Sequence, residues 1–448
     1  MSHKEKTHHR RKHPGEAPPP ANDRPLPADS PTFAEGTPSP DPKKFRIKHK
    51  SDDAAYKILD SEKQSPRPFP IIGKTAEPVL QLADAFGQEG AQIVSGIQKA
   101  GQIVFHAVGD TGNTKGPRDQ SLVADKMVSD FNDQSDAAIP MFFFHLGDVV
   151  YSFGETVYYY DQFYDPYRDY PAPIFAIAGN HDGMVAPQTS TPSLQAFLNN
   201  FCGAGEPIHR TPEAGGLPRT AQIQPGVYYT LDAPFVRILS LYSNCLEDPG
   251  VISDEDGQFP YLGQTQVDFL KAALERAKSE KFAGALLVAV HHPPYVAESG
   301  GQYAGRHGAS LRMLADIDDA CEAAGLWPHA ILSGHAHNYQ RFTRTKGGRQ
   351  TPFVVAGNGG HACVPLTAKG EPTLRTPAVQ ATLSDGHDTV VFENYDDQDF
   401  GYLRIMVNAA QLRIEYHPAS DGANSKTPDD FVTVDLASRQ IAHYRVPQ

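Results

Sequence analysis

Asp110, Asp148, Asn180, His291, His335 and His337 stand out because each lies at the end of a short apolar run. Ile103-Val104-Phe105 leads to Val108-Gly109-Asp110, and Met141 to Phe144 leads to Leu146-Gly147-Asp148. Ile174 to Ala178 leads to Gly179-Asn180-His181-Asp182, Ala285 to Val290 to His291-His292, and Ile331-Leu332 to Gly334-His335-Ala336-His337. Buried strands read as continuous apolar runs, and ligand sites in α/β sheets gather beyond the carboxyl ends of strands. Five such endings have one simple explanation, a shared site. Oxygen and imidazole donors suit hard to borderline cations such as Fe, Zn or Mn. The absence of Cys from the set disfavours a structural zinc site. A carboxylate can bridge two cations, and two cations about 3.5–4 Å apart can clamp a phosphate and activate a water. Glycines before Asp110, Asp148, Asn180 and His335 allow sharp strand exits and close backbone approach.

Such a site needs alternating strands and helices to present it. Val79, Leu80, Leu82, Ala83, Phe86, Ile93 and Ile97 recur at mostly helical spacing over 76–99, with Pro78 suited to a first turn. Leu122, Val123, Met127, Val128 and Phe131 suggest another helix, and the Tyr-rich stretch 157–170 is helical in part. Val227 to Leu241 reads as one or two strands, and amphipathic helices cover 263–279 and 310–324. Tyr402 to Val407 and Leu412 to Tyr416 form a hairpin around Asn408-Ala409-Ala410. The fold class is therefore α/β.

The chain has 448 residues, of which 40% are hydrophobic, enough for a large core. Its formal charge of −13 argues against broad nucleic-acid binding. No run approaches the length of a membrane span. The first residues carry Lys4, Lys6, Arg10, Arg11 and Lys12 with four histidines, but prolines follow where a signal peptide has its apolar stretch. Residues 1–72 are expected to be a disordered, Pro-rich segment and 73–448 one catalytic domain, with its motif core at 101–342 and a C-terminal β-hairpin region at 400–448. Few cysteines and no signal peptide imply a cytoplasmic protein. Cys202, Cys245, Cys321 and Cys363 lack metal-ligand spacing and read as buried thiols.

Gly109-Asp110-Thr111-Gly112, Gly147-Asp148-Val149-Val150-Tyr151, Gly179-Asn180-His181-Asp182, Val288-Ala289-Val290-His291 and Gly334-His335-Ala336-His337 resemble, in order, the five motifs of purple acid phosphatase-like metallophosphoesterases of the calcineurin type. The wider superfamily opens with Asp-x-His, where Gly112 stands here. The purple acid phosphatase branch has a tyrosine in its second motif, matched by Tyr151. The resemblance implies a four-layer α/β/β/α sandwich of two mixed sheets flanked by helices. It implies one cation, typically Fe(III), held by Asp110, Asp148, Tyr151 and His337. A second, Fe(II), Zn(II) or Mn(II), would be held by Asp148, Asn180, His291 and His335, with Asp148 bridging. The reaction would be acid-phosphatase-like hydrolysis of a phosphate ester, with the two cations as its cofactors, by hydroxide generated at the cations.

The resemblance further implies that His181 faces the substrate, stabilises developing charge and protonates the leaving oxygen, with Asp182 orienting it. Its spacing selects His291 over His292 as the ligand. Relatives place a substrate-facing His after the fourth motif, which makes His307, beside Arg306, a third catalytic candidate. His106 and His145 read as core histidines bonded to backbone. Gly357-Asn358-Gly359-Gly360, before His361, could be a loop lining the site or a turn needing positive φ, and the turn is preferred. Tyr339 and Arg341 read as supports beneath the site. The expected partner is a small-molecule phosphate ester, most simply a monoester, with neither nucleic acid nor membrane; the oligomeric state stays open. Substrate selection would fall to loops 183–223, 243–262 and 296–309. The alternatives are a phosphodiesterase or nucleotide hydrolase on the same site, a non-catalytic binding module and, last, a nuclease.

Overall fold

The double burial of the apolar runs decides the architecture. The computed structural model describes residues 76–113, 116–132, 136–185, 192–202, 212–214, 217, 224–297, 307–381, 388–422 and 425–445. The Pro-rich segment 1–72, Arg306 and much of loops 183–223 and 296–309 lie outside these residues. The first elements are β1 (Val79–Gln81), α1 (Leu82–Ala85), α2 (Gly90–Ala100), β2 (Gln102–Val108), α3 (Arg118–Ser129), β3 (Pro140–His145) and β4 (Ile174–Ala176). Next come α4 (Asn180–Gly183), α5 (Gln195–Phe201), β5 (Tyr229–Ala233), β6 (Val236–Ser240), α6 (Thr265–Ser279), β7 (Ala285–Ala289), α7 (Leu311–Ala324) and β8 (Ala330–Ser333). The remainder is β: β9 (Tyr339–Lys346), β10 (Arg349–Ala356), β11 (Ala378–Ala381), β12 (Thr389–Asp396), β13 (Gly401–Asn408), β14 (Gln411–Pro418), β15 (Asp430–Asp435) and β16 (Gln440–Ile441).

Among the described residues these strands make two mixed sheets. One has nine strands in the order β1-β5-β6-β7-β8-β10-β9-β12-β11, the other seven in the order β16-β15-β14-β13-β2-β3-β4. In β2 and β3, Ile103, Phe105, Ala107, Phe142 and Phe144 join one apolar cluster with Leu287, Ala289 and Leu332 from the other sheet. Their neighbours along the strand, Val108 and Phe143, cluster instead with Val123 and Met127 of α3. Leu286 and Val288 of β7 cluster with Leu270 and Leu274 of α6 and Ile317 of α7. Side chains alternate across a strand, so a strand with apolar residues on both faces must be covered on both. The result is two sheets flanked by helices.

The parallel pairings fix where the loops emerge. β2, β3 and β4 run parallel in one sheet. β6, β7, β8 and β10 run parallel in the other. The C-terminal hairpin forms as expected, with Ala409 and Ala410 between β13 and β14.

The helix expected over 76–99 is broken. Val79–Gln81 pairs in parallel with β5, and the Pro78 carbonyl accepts the Thr230 N–H at 2.8 Å. Pro78 cannot donate, so an edge position suits it as well as a helix start. Gly87 then adopts φ +55° and separates α1 from α2. The Tyr-rich stretch is wound into a 3₁₀ turn at Thr156–Tyr158 and a π turn at Tyr160–Tyr164. Among the cysteines, Cys245 and Cys321 are buried, whereas Cys202 and Cys363 are partly exposed; all are free thiols. Among the described residues, no helix is long and apolar enough to cross a membrane.

His329 ties the two sheets together just before β8. Its Nδ1 accepts the Leu286 N–H at 2.9 Å, and its Nε2 faces the Leu436 carbonyl at 3.3 Å. Burial, helped by the charge of Arg439, lowers its pKa to about 4. The unfolded chain therefore takes up this proton near pH 6.5 and the folded chain only near pH 4. Stability is retained above that window and falls by about 3 kcal/mol as the pH drops through it. Denaturant unfolding between pH 7 and 4 should show a shallower loss in His329→Gln than in the parent; equal slopes would contradict this.

Candidate metal centre

The loops after β2, β3, β4, β7 and β8 converge, and their polar residues meet in a buried cluster. Asp110, Asp148, Asn180, Tyr151 and His291 are fully buried. Asp110, Asp148 and His335 adopt φ of +56°, +53° and +68°. Such backbone strain in non-glycine residues is uncommon and concentrates where side-chain placement matters. The strand exits thus turn on the functional residues themselves as well as on glycine. Gly179 serves a different need: a Cβ there would collide with the Asp148 carboxylate.

Two groupings emerge. In the first, the Tyr151 hydroxyl donates to Asp110 Oδ1 at 3.0 Å and lies 3.2 Å from His337 Nε2, which is itself 3.4 Å from Asp110 Oδ1. In the second, Asn180 Oδ1 lies 3.1 Å from His291 Nε2 and 3.1 Å from His335 Nδ1. Asp148 stands between them, with Oδ2 3.4 Å from His291 Nε2. Asp110 Oδ1 is 3.9 Å from the same nitrogen. Donor atoms of Asp110, Asp148 and His291 lie within 4.8 Å of one another.

Second partners orient these donors. His291 Nδ1 donates to the Leu146 carbonyl at 2.8 Å, which turns Nε2 toward the cluster. Asn180 Nδ2 donates to Glu247 Oε2 at 3.3 Å, which turns Oδ1 the same way. Gln162 grips the Tyr151 backbone at both N–H and carbonyl, at 2.9 and 3.0 Å. His335 N–H donates to Asp110 Oδ2 at 2.7 Å.

The electrostatics ask for positive charge. Burial alone would raise the Asp148 carboxyl, but the imidazoles of His291 and His181 hold it well below the usual carboxylate range. Burial disfavours protonated His291, yet Asp148 and Asp110 push it up to about 10. Burial, with both carboxylates, keeps the Tyr151 phenol protonated far above its ordinary range. Burial and neighbouring imidazoles keep His335 neutral. Asp148 Oδ2 is buried with no hydrogen-bond partner among the described residues. A buried ionised oxygen with an ion-pair partner at 3.4 Å but no hydrogen bond is costly. A cation against Asp148 Oδ2 would remove that cost and replace the His291 proton, so the donor set fits a metal.

The other candidates sort clearly. His181 Nδ1 donates to the Ser152 carbonyl at 2.7 Å, and its Nε2 lies 4.0 Å from Glu247 Oε2. Asp182 differs from expectation. Its carboxylate accepts the N–H groups of Val149, Val150 and Gly179 at 2.9–3.2 Å, pinning the loops, while the carbonyl of Ser152 orients His181. His307 does join the site, with ring centroids 4.8 Å from both His335 and His337. His292 points elsewhere, to Ser243 Oγ at 2.7 Å and the Leu246 carbonyl at 2.8 Å. His145 has one backbone bond, from the Gly147 N–H. His106 instead bonds side chains, Asp130 and Tyr170, each at 3.0 Å. Tyr339 and Arg341 anchor β9 through Asp430 at 2.6–3.0 Å.

Sequence reasoning missed Glu247, which sits 3.7 Å from His307 Nε2. It misjudged His361, whose ring stacks on Tyr151. Both follow strands of the parallel set, Glu247 after β6 and His361 after β10. Both lie several residues beyond the strand end, Glu247 seven after Ser240 and His361 five after Ala356, so neither directly ends an apolar run.

The sequence profile of the calcineurin-like phosphoesterases matches residues 103–339. No curated protein matches. Among solved structures, GAP50, the anchor in the inner membrane complex of Plasmodium, is 12% identical, with 75% of this chain and 89% of that chain covered and a TM-score of 0.44. PhoD is 14% identical, with 76% and 71% covered and a TM-score of 0.44. A conserved, predicted phosphoesterase from Streptococcus pneumoniae TIGR4 is 10% identical, with 71% and 91% covered and a TM-score of 0.22. Spanning all five strand-end motifs and more than half of the chain, the profile match shows that this protein belongs to the calcineurin-like phosphoesterase family.

Proposed function

We propose that the protein hydrolyses phosphate monoesters at a dinuclear metal centre of the purple acid phosphatase type. What supports the reading is the division of seven donors into two groups about Asp148: Asp110, Tyr151 and His337 on one side, Asn180, His291 and His335 on the other. The first group, with its phenol, suits Fe(III); the second suits Fe(II), Zn(II) or Mn(II). Bound there, two cations would polarise the phosphoryl oxygens and lower the pKa of a water.

The chain's own residues supply the rest. His181, held through Nδ1 by Ser152, presents Nε2 to the phosphoryl group and gives its proton to the leaving oxygen. His307 lies against His335 and His337 and binds the substrate phosphate. Asp182 keeps Val149, Val150 and Gly179 in place, and so fixes Tyr151 and Asn180. Glu247 orients Asn180 and separates the two substrate-facing imidazoles.

A panel of aryl phosphates tests the substrate class: turnover of monoesters is expected. Failure on monoesters with turnover of diesters would overturn the monoesterase reading. In iron-loaded protein Tyr151→Phe should abolish visible absorption; an unchanged spectrum would disprove phenolate ligation.

A further inference from the structure

The Tyr151 ring touches two imidazoles. His181 lies tilted against it, with centroids 4.4 Å apart at 40°. His361 stacks on it, nearly parallel, at 3.6 Å and 12°. His361 lies outside the five motifs and outside the matched span of the family profile.

The chain goes to some length to deliver it. After β10 the segment 357–361 docks on the loop that carries Asp110. Gly359 N–H donates to the Gly109 carbonyl at 3.1 Å, and His361 N–H donates to the Asp110 carbonyl at 3.0 Å. Asn113 Nδ2 donates to the Gly360 carbonyl at 2.6 Å. The imidazole then donates from Nδ1 to the Gly112 carbonyl at 2.7 Å, because a carbonyl can only accept. Gly112 has no room for a side chain: a Cβ would meet Gln162 Oε1 at 2.5 Å and the Val149 carbonyl at 2.6 Å. Its carbonyl is therefore a fixed point against which His361 is aligned. The imidazole is 7% exposed, and its centroid lies 5.0 Å from that of His337.

Bonds at the backbone and at the hydroxyl fix the two ends of Tyr151 but not the plane of its ring. A flat ring stacked on it restricts rotation about χ2. We propose that His361 is a positioning residue for Tyr151: anchored by Gly112, it lies flat on the phenol ring and holds its oxygen between Asp110 and His337. This rests on the reading of Tyr151 as a metal ligand. Supporting side chains of this kind commonly affect metal affinity as much as some ligands do.

The test uses the full-length protein reconstituted with iron, read by its visible absorption and by competition with a chelator. The parent should show a tyrosinate band. His361→Ala should shift and weaken it and lower iron affinity by about tenfold to a hundredfold. His361→Phe, which keeps a flat ring but not the hydrogen bond, should retain most of the band and affinity. His361→Gln, which keeps an amide donor but no ring, should behave like the alanine variant. If the alanine variant does not fold, the Phe and Gln variants decide between themselves. A band kept in Phe and displaced in Gln supports the proposal; any other pattern overturns it. A parent with bound iron but no band would instead refute ligation by Tyr151, a failure visible before any His361 variant is made.

Discussion

Asp148→Asn should remove most of the bound metal and lower phosphate-ester hydrolysis by at least about a thousandfold, on the order of 4 kcal/mol of barrier. The reason is local and specific. Asp148 Oδ1 accepts the His181 N–H at 2.9 Å, a bond that an amide oxygen can also make. Oδ2 is the buried oxygen without a hydrogen bond, 3.4 Å from His291 Nε2. Substitution thus preserves the loop while deleting the negative charge that the proposed centre shares between its two donor groups. The putting of an amide N–H2 against His291 adds a donor where the cluster needs an acceptor. Elemental analysis of the variant beside the parent measures the effect. Full metal content in Asp148→Asn would exclude a bridging role.

His181→Ala should behave in the opposite way, keeping its metals while kcat falls by about 10²–10⁴-fold. His181 contributes no donor to either group, and its Nδ1 is committed to Ser152. If His181 is the proton donor proposed above, the damage should depend on the leaving group. Alkyl phosphates, whose alkoxide leaves poorly without a proton, should lose far more rate than aryl phosphates. The His361 ring stacks on Tyr151 without involving His181, so the tyrosine should keep that contact in the variant. Equal losses on both substrate types would show that His181 does not protonate the leaving oxygen.

The metal cluster was legible because its residues interrupt an otherwise apolar text. Buried parallel strands are mostly apolar along their length, His106 in β2 being an exception, so Asp110, Asp148, Asn180, His291 and His335 at or beyond their ends are conspicuous. The same contrast separates His291 from His292: consecutive residues of an extended chain point apart, and only the first reaches Asn180. Partners that act through the backbone were not legible. Ser152 holds His181 by its carbonyl, and Asp182 works through three N–H groups. Neither interaction leaves a mark in residue type. His361 was hidden by its glycines, which read as a turn. Among Gly357, Gly359 and Gly360 only Gly360 has positive φ, and the segment is instead a close-packed loop against Gly109 and Asp110. The break in the first helix had the same origin, since the pairing of Val79–Gln81 with β5 is a tertiary contact that local periodicity does not encode.

The central claim is that one carboxylate, Asp148, joins two sets of donors into a single centre. Metal content per chain, measured by elemental analysis on protein purified without chelator and reconstituted with iron and zinc, tests it most directly. Two ions per chain in the parent, falling below one in Asp148→Asn, is the expected result. A parent that binds one ion or none after reconstitution would contradict it.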